Sequence, residues 1–132
     1  MNDPQRVAMW SGPRNISTAM MRAWENRDDC VVSDEPLYAA YLAATGLDHP
    51  GRDEVIAAGE TDWRKVAQSL TGPIPVGRAV WYQKQMSHHL VPTMDSDWLW
   101  GLCNVLLIRD PAEVVSSYLK SRATVAPEDI GL

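Results

Sequence analysis

Cysteine is scarce, with two in 132 residues, which supplies neither a disulfide framework nor metal-ligand spacing. Cys30 and Cys103 each adjoin or enter an apolar run, so both read as buried free thiols. Long apolar runs are missing as well. No stretch approaches the roughly 20 residues that cross a bilayer, and the polar opening MNDPQR leads into an apolar run too brief for a signal peptide. These absences point to a cytoplasmic protein with no membrane partner. Positive charge is in deficit: Lys and Arg number 12 against 17 Asp and Glu, for a net charge of -5. That excludes a general attraction to nucleic acid, so any anion site has to be a local cluster of cations.

What is present is globular in character. Hydrophobic residues make up 45% and charged residues 22%, an ordinary balance for a folded domain. The length suits one domain with a core and leaves no room for two. The composition fixes no oligomeric state.

Short apolar runs alternate with helical patterns along the chain. RVAMW (Arg6 to Trp10) ends at a Ser-Gly-Pro breaker and reads as a first strand. A helix is expected from Ser17 to about Arg27, with Ala19, Met20, Ala23 and Trp24 on one stripe and Ser17 or Thr18 as its cap. CVVSDE (Cys30 to Glu35) has the β-branched content of a second strand, and Leu37 to Thr45 reads as a helix stopped near Gly46. Residues 46 to 60 form a loop with a helical turn or two. Trp63, Val66, Ala67 and Leu70 recur at helical spacing until Gly72 and Pro73. Arg78 to Met86 is expected to be a strand running into a polar end, and NVLLIR (Asn104 to Arg109) is the clearest strand of all. Beyond it Asp110 suits an N-cap, Pro111 a first helical residue and Glu113 the reciprocal partner of a capping box; the helix would carry Val114, Val115, Tyr118 and Leu119 on its apolar face. Strands alternating with helices imply an α/β fold, a parallel sheet with helices on both faces and ligands at the carboxyl ends of its strands. The tail RATVAPEDIGL has no closing strand or helix signal, so the chain reads as the N-terminal part of a longer domain.

The polar motifs fall at those strand ends. SGPRNIST joins the first strand to the first helix, an order that presents backbone amides and a positive helix end to an anion. Gly12 and Pro13 bend the chain, Arg14 brings a guanidinium fork, and Ser17 and Thr18 bring hydroxyls. A Walker A loop needs G-x-x-x-x-G-K-[ST]; here Ser17 and Thr18 stand in place of the second glycine and the lysine, which argues against a magnesium-dependent ATPase or GTPase. In IRDPAEVVSSYLK, Arg109 closes a strand and Ser117 follows eight residues later, about two turns into the helix. Both can face one anion.

These two motifs resemble those of the sulfotransferases that use 3′-phosphoadenosine 5′-phosphosulfate as donor. In that family a loop like PKSGTTW wraps the 5′-phosphosulfate, and an R-[ND]-P junction with a serine eight residues after the arginine binds the 3′-phosphate. Pro13, Arg14, Asn15, Ile16, Ser17 and Thr18 match the first pattern in order, and Arg109, Asp110, Pro111 and Ser117 the second. The resemblance implies a P-loop NTPase-like sheet, a nucleotide donor and no metal. Arg14 replaces the usual lysine and Ile16 a glycine. An arginine still neutralises a leaving phosphate, although without the compact charge of a lysine.

Sulfuryl transfer asks mainly for alignment and charge stabilisation, together with a base for the acceptor's hydroxyl or amine. His88, Glu35 and His89 are the candidates, in that order, since an imidazole accepts a proton near neutral pH without help from burial. Lys84 with His88 is similar to a lysine–histidine pair after the family's third strand, with spacing wider by two residues. Other roles suit each of these residues: a short helix start for His88 and His89, a turn for Glu35 before Pro36, a solvated edge for Lys84. His49 suits a loop turn, Ser116 a helix surface, and the tryptophans and methionines the core. The competing functions are a non-catalytic nucleotide- or phosphate-binding module and a P-loop kinase relative acting on a small molecule. No residue identifies the acceptor.

Overall fold

The computed structural model describes residues 3–120; the tail from Arg122 onward lies outside them. The first strand, β1 (Gln5–Ser11), is followed by α1 (Ser17–Glu25) and β2 (Cys30–Asp34). Three helices then run in succession, α2 (Tyr38–Thr45), α3 (Arg52–Ala58) and α4 (Trp63–Leu70). β3 (Val80–Met86), β4 (Cys103–Leu107) and α5 (Pro111–Leu119) complete the described chain. The four strands form one sheet in the order β2-β3-β1-β4, and every pairing is parallel. Parallel neighbours need crossovers, which the intervening helices supply.

Side chains alternate across the sheet and build two cores. Val7 and Met9 of β1 and Val80 and Tyr82 of β3 meet Cys30 and Met21 on one face, where Met20 and Trp24 of α1 close the layer. Ala8, Trp10 and Trp81 meet Leu37 and α4's Val66 and Leu70 on the other. Helices therefore cover both faces, as the alternation of elements implied. Trp24 stacks on Tyr82 with ring centroids 5.2 Å apart. Each such large side chain taken fully from water contributes roughly 1.5–3 kcal/mol.

Gly46 and Asp110 act at helix boundaries as expected, and Asp62 adds a cap not singled out in the sequence. Gly46 ends α2 in the left-handed region at φ 68°, a conformation that costs glycine nothing. Asp62 caps α4 by accepting from Arg64 N at 3.0 Å, and Asp110 caps α5 by accepting from Ala112 N at 2.8 Å.

Several expectations need correction. Neither Ser17 nor Thr18 caps α1: the cap position is Ile16, with no side-chain cap bond, because the helix begins at Ser17 itself. Its inward stripe is Ser17, Met20, Met21 and Trp24, whereas Ala19 and Ala23 are exposed. Glu113 does not complete a capping box; it lies 3.5 Å from Arg109 Nε. Residues 52–58 fold into about two turns of helix, in keeping with the loop and helical turn or two expected there. β3 is buried along its whole length, so Lys84 is an interior residue. β4 stops at Leu107, short of Arg109, and is largely exposed, Cys103 included. It lies at the edge of the described sheet, and an apolar run reports a capacity for burial, not what covers it. Leu119 is likewise exposed.

α3 ends at Gly59, pressed against α2. An added Cβ there would come within 2.7 Å of Ala39 Cβ and 3.1 Å of the Val55 carbonyl oxygen, so Gly59→Ala should destabilise the fold by about 1–3 kcal/mol. Urea denaturation measures this, and an unchanged midpoint would show that the two helices are not seated on each other.

Candidate functional site

The parallel register brings the strand ends level. Ser11 at the end of β1 pairs with Met86 of β3 and Leu107 of β4, so the loop after β1 rises between the segments that follow those two strands. Within this loop Arg14 holds φ at 61°, a left-handed conformation that is uncommon for a side chain with a Cβ. Contacts from both neighbours fix it there. Its carbonyl accepts a hydrogen bond from Arg109 Nη1, and its own Nε donates to Ser117 Oγ at 2.9 Å. Asn15 completes the anchorage by donating to the Leu107 carbonyl at 3.3 Å and accepting from the Ile16 amide at 2.9 Å. The two motifs of the sequence thus meet in space, with Arg14, Arg109 and Ser117 joined across more than ninety residues of chain.

The junction gathers groups of the kind that can hold an anion. α1 has nine residues and no side-chain cap, which leaves first-turn amides of the positive helix end available. Arg14 and Arg109 add two exposed guanidinium groups beside it. A cavity of about 420 Å³ opens on the β4 side of the loop, bordered by Gly12, Pro13, Asn15, Ser87, Arg109 and Val114. Gly12 to Thr18 with Arg109 and Ser117 form the set that could hold a phosphorylated nucleotide there.

On the β3 side lies a different environment. Lys84 is nearly buried, and its ammonium donates to Thr18 Oγ1 at 3.0 Å and to Glu35 Oε2 at 3.2 Å, with Asp34 Oδ1 also at 3.2 Å. A charge withdrawn from water requires such partners. Glu35 is itself pinned: its amide donates to the Lys84 carbonyl at 2.9 Å, and its φ is 48°, so the chain leaves β2 abruptly and turns the carboxylate inward. His88 and His89 follow β3 in a short 3₁₀ turn, Ser87–His89.

Glu35 and both histidines line a second, smaller cavity of about 170 Å³, together with Tyr38, Tyr41 and Tyr118. Pro13 borders both cavities, so the loop stands between them. His89 is 1% exposed, and burial, helped by His88, His49 and Lys84, pushes its pKa down to about 2. Its Nε2 lies 3.9 Å from Glu35 Oε1. With the ring neutral this is a dipolar contact and not an ion pair. Its plane stacks on Tyr38 at 5.0 Å and 9°, while His88 meets Tyr41 edge-on at 5.3 Å.

All the residues singled out in the sequence therefore reach this edge of the sheet. Gly12 to Thr18, Arg109 and Ser117 assemble at the junction, and His88, Glu35 and His89 in the small cavity. Sequence reasoning missed the burial of Lys84 and the tyrosines. Tyr38 and Tyr41, spaced i and i+3 just after Glu35, carried a readable signal. His49, assigned to a loop turn, hydrogen-bonds Tyr38 Oη through Nδ1 at 3.0 Å.

The neutrality of His89 has a consequence for stability. The folded chain holds the ring neutral, whereas the unfolded chain protonates it below the ordinary value of 6.5. Stability present above that value is lost as pH falls toward the folded value. From about pH 7 to about pH 5 the loss should be about 2 kcal/mol, and His89→Gln should lack this component. Denaturation midpoints of both proteins across that range decide it; parallel curves would show that His89 is not held neutral.

Comparison with known proteins gives the same orientation. Residues 5–132 match the family described as sulfotransferase domain. Branched-chain-amino-acid aminotransferase-like protein 2 of Arabidopsis thaliana is 36% identical over 116 residues, covering 86% of this chain and 20% of that protein. Branched-chain-amino-acid aminotransferase-like protein 1 of the same plant is 34% identical over 120 residues, covering 91% of the chain and 21% of that protein. The chain thus spans about a fifth of the length of these curated relatives. No solved structure matches. Among the described residues no helix is long and apolar enough to cross a membrane. A family match running over residues 5–132 leaves almost none of the chain outside it, and the chain therefore belongs to the sulfotransferase domain family, on an α/β, P-loop-like fold.

Proposed function

We propose that the chain binds 3′-phosphoadenosine 5′-phosphosulfate and supports transfer of its sulfuryl group to a hydroxyl or amine of a small acceptor. The observation that carries this reading is the hydrogen bond from Arg14 to Ser117, backed by that from Arg109 to the Arg14 carbonyl. It draws the loop and the strand–helix junction into one cationic site with the start of α1. When bound, the donor supplies an activated sulfuryl group on a phosphate leaving group. The amides of α1's first turn and the hydroxyls of Ser17 and Thr18 would take the 5′ end, and Arg109 and Ser117 the 3′-phosphate. Arg14 would neutralise charge on the departing phosphate.

His88 is the proposed proton acceptor. Transfer joins the acceptor's oxygen or nitrogen to sulfur, breaks the sulfur–oxygen bond to the 5′-phosphate, and leaves one proton to be taken up. His88 lies beside the loop in the smaller cavity. Glu35, engaged with Lys84, ranks second, and His89 third because burial opposes its protonation. One feature favours a non-catalytic nucleotide-binding module instead: Arg14, at the position of the usual lysine, is itself occupied by Ser117. No residue supplies the Gly-Lys pair of a magnesium-dependent kinase loop.

Calorimetry without magnesium tests the donor assignment. 3′-Phosphoadenosine 5′-phosphate should bind at least about tenfold tighter than ATP, and Ser117→Ala should narrow that difference, since a hydrogen bond to a charged group is worth about 1.5–3 kcal/mol. Equal affinities for the two nucleotides would end the assignment of Arg109 and Ser117.

Steady-state rates test the base. His88→Asn should lower turnover by roughly 10² to 10⁴ with nucleotide affinity nearly intact, the usual contribution of general base catalysis, and Glu35→Gln should do less. An inactive glutamine variant beside an active asparagine variant would make Glu35 the base.

A further inference from the structure

We propose that the small cavity beside the loop seats the cationic head of a small amino alcohol, with Glu35 as the counter-charge and the hydroxyl turned toward Pro13 as the sulfuryl acceptor. This rests on the sulfotransferase reading above and names the class of acceptor it serves.

Size sets the first limit. At about 170 Å³ the cavity is close to one of about 150 Å³ that accommodates benzene. The portion of the acceptor held inside is therefore small. Steroid-sized or oligosaccharide acceptors do not fit within it.

The lining sets the second. Six of the nine described lining residues carry aromatic rings, and Glu35 is the one carboxylate among those nine. Tyrosine rings and the neutral His89 ring are good surroundings for an organic cation, whose weakly hydrated alkyl groups pack on them while the charge interacts with ring faces. An anionic acceptor would instead be desolvated beside a carboxylate.

The third argument is the way Glu35 is held. Lys84 engages Oε2 at 3.2 Å, whereas Oε1 accepts no hydrogen bond from any described residue and has His89 Nε2 as a neighbour only at 3.9 Å. One carboxylate oxygen is fixed in place and the other is left to a ligand. His89 offers an independent sign of the same kind. Its side chain is 1% exposed, it lines the cavity, and its Nδ1 is buried with no hydrogen-bond partner among the described residues. A buried polar atom left in that state costs about 1–3 kcal/mol, a cost that a ligand relieves only through a local shift of the ring, since protein covers that atom. Pro13 forms the wall shared with the donor side, so a hydroxyl pointing that way faces the loop.

The test measures binding before turnover. Calorimetry on the full chain compares choline with its uncharged tert-butyl isostere and with an alcohol of similar size bearing a carboxylate. Choline should bind about tenfold tighter than the isostere, and the carboxylate should not bind measurably. Glu35→Gln should reduce the choline advantage to less than about threefold; should that variant fold poorly, Tyr118→Leu, which removes one ring from the wall, should weaken choline more than the isostere. Equal affinity for choline and the isostere, or no binding of choline, overturns the seat. Titration of 3′-phosphoadenosine 5′-phosphate into the same samples reports separately on the donor. If choline is preferred and the nucleotide does not bind, the sulfotransferase reading fails and the cation seat stands; if the nucleotide binds and choline is not preferred, the reverse holds.

Discussion

A lysine ammonium moved out of water costs several kcal/mol unless the protein replaces its hydration with oriented partners. Lys84, in β3, obtains them from three residues on two segments: Thr18 at the start of α1, and Asp34 at the end of β2 with Glu35 just beyond it. Satisfying this one charge fixes where three strand ends stand relative to one another. Glu35 can turn inward only because the chain leaves β2 in a strained conformation at φ 48°, of order 1–3 kcal/mol, and the attraction of Lys84 offsets that strain. The carboxylate of the small cavity and the first turn of α1 are thereby held by a single side chain.

The loop after β1 is held from the opposite side. Arg14 also adopts a left-handed conformation, and there Arg109 and Ser117 supply the compensating hydrogen bonds. Two strained residues, each stabilised by charged partners from a distant segment, flank Pro13. Strain of this kind gathers at sites where the fold over-determines the backbone. The result is a loop with a larger cavity bordered by Arg109 on one side and a smaller ring-lined cavity containing a carboxylate on the other.

The family match and the strand-end geometry bear on different levels. The match fixes ancestry and architecture over nearly the whole chain. The curated relatives carry this segment as about a fifth of much longer proteins, so the segment is a module that occurs beside other sequence. Its chemistry is therefore argued from its own residues: the uncapped helix start, the two guanidinium groups and the paired cavities.

Much of this was legible in the residues themselves. Gly46 and Asp110 ended and began helices as their local chemistry requires, and the alternation of strand and helix patterns gave a parallel α/β sheet because only crossovers can join parallel neighbours. The spacing of Arg109 and Ser117 and the loop at Gly12 to Thr18 were readable as motifs because each is a short-range relation, and the fold brings the two together. What only the tertiary structure decided depended on which strand lay beside which. Lys84 looked like a solvated edge residue, and the central register of β3 between β1 and β2 buried it. Cys103 looked buried, and the edge position of β4 exposed it. The tyrosines and His49 drew together around Glu35 only when α2 folded back over the end of β3. Local propensity is written in neighbouring residues, whereas burial and the meeting of distant charges are set by pairings across the sheet, which no single segment encodes.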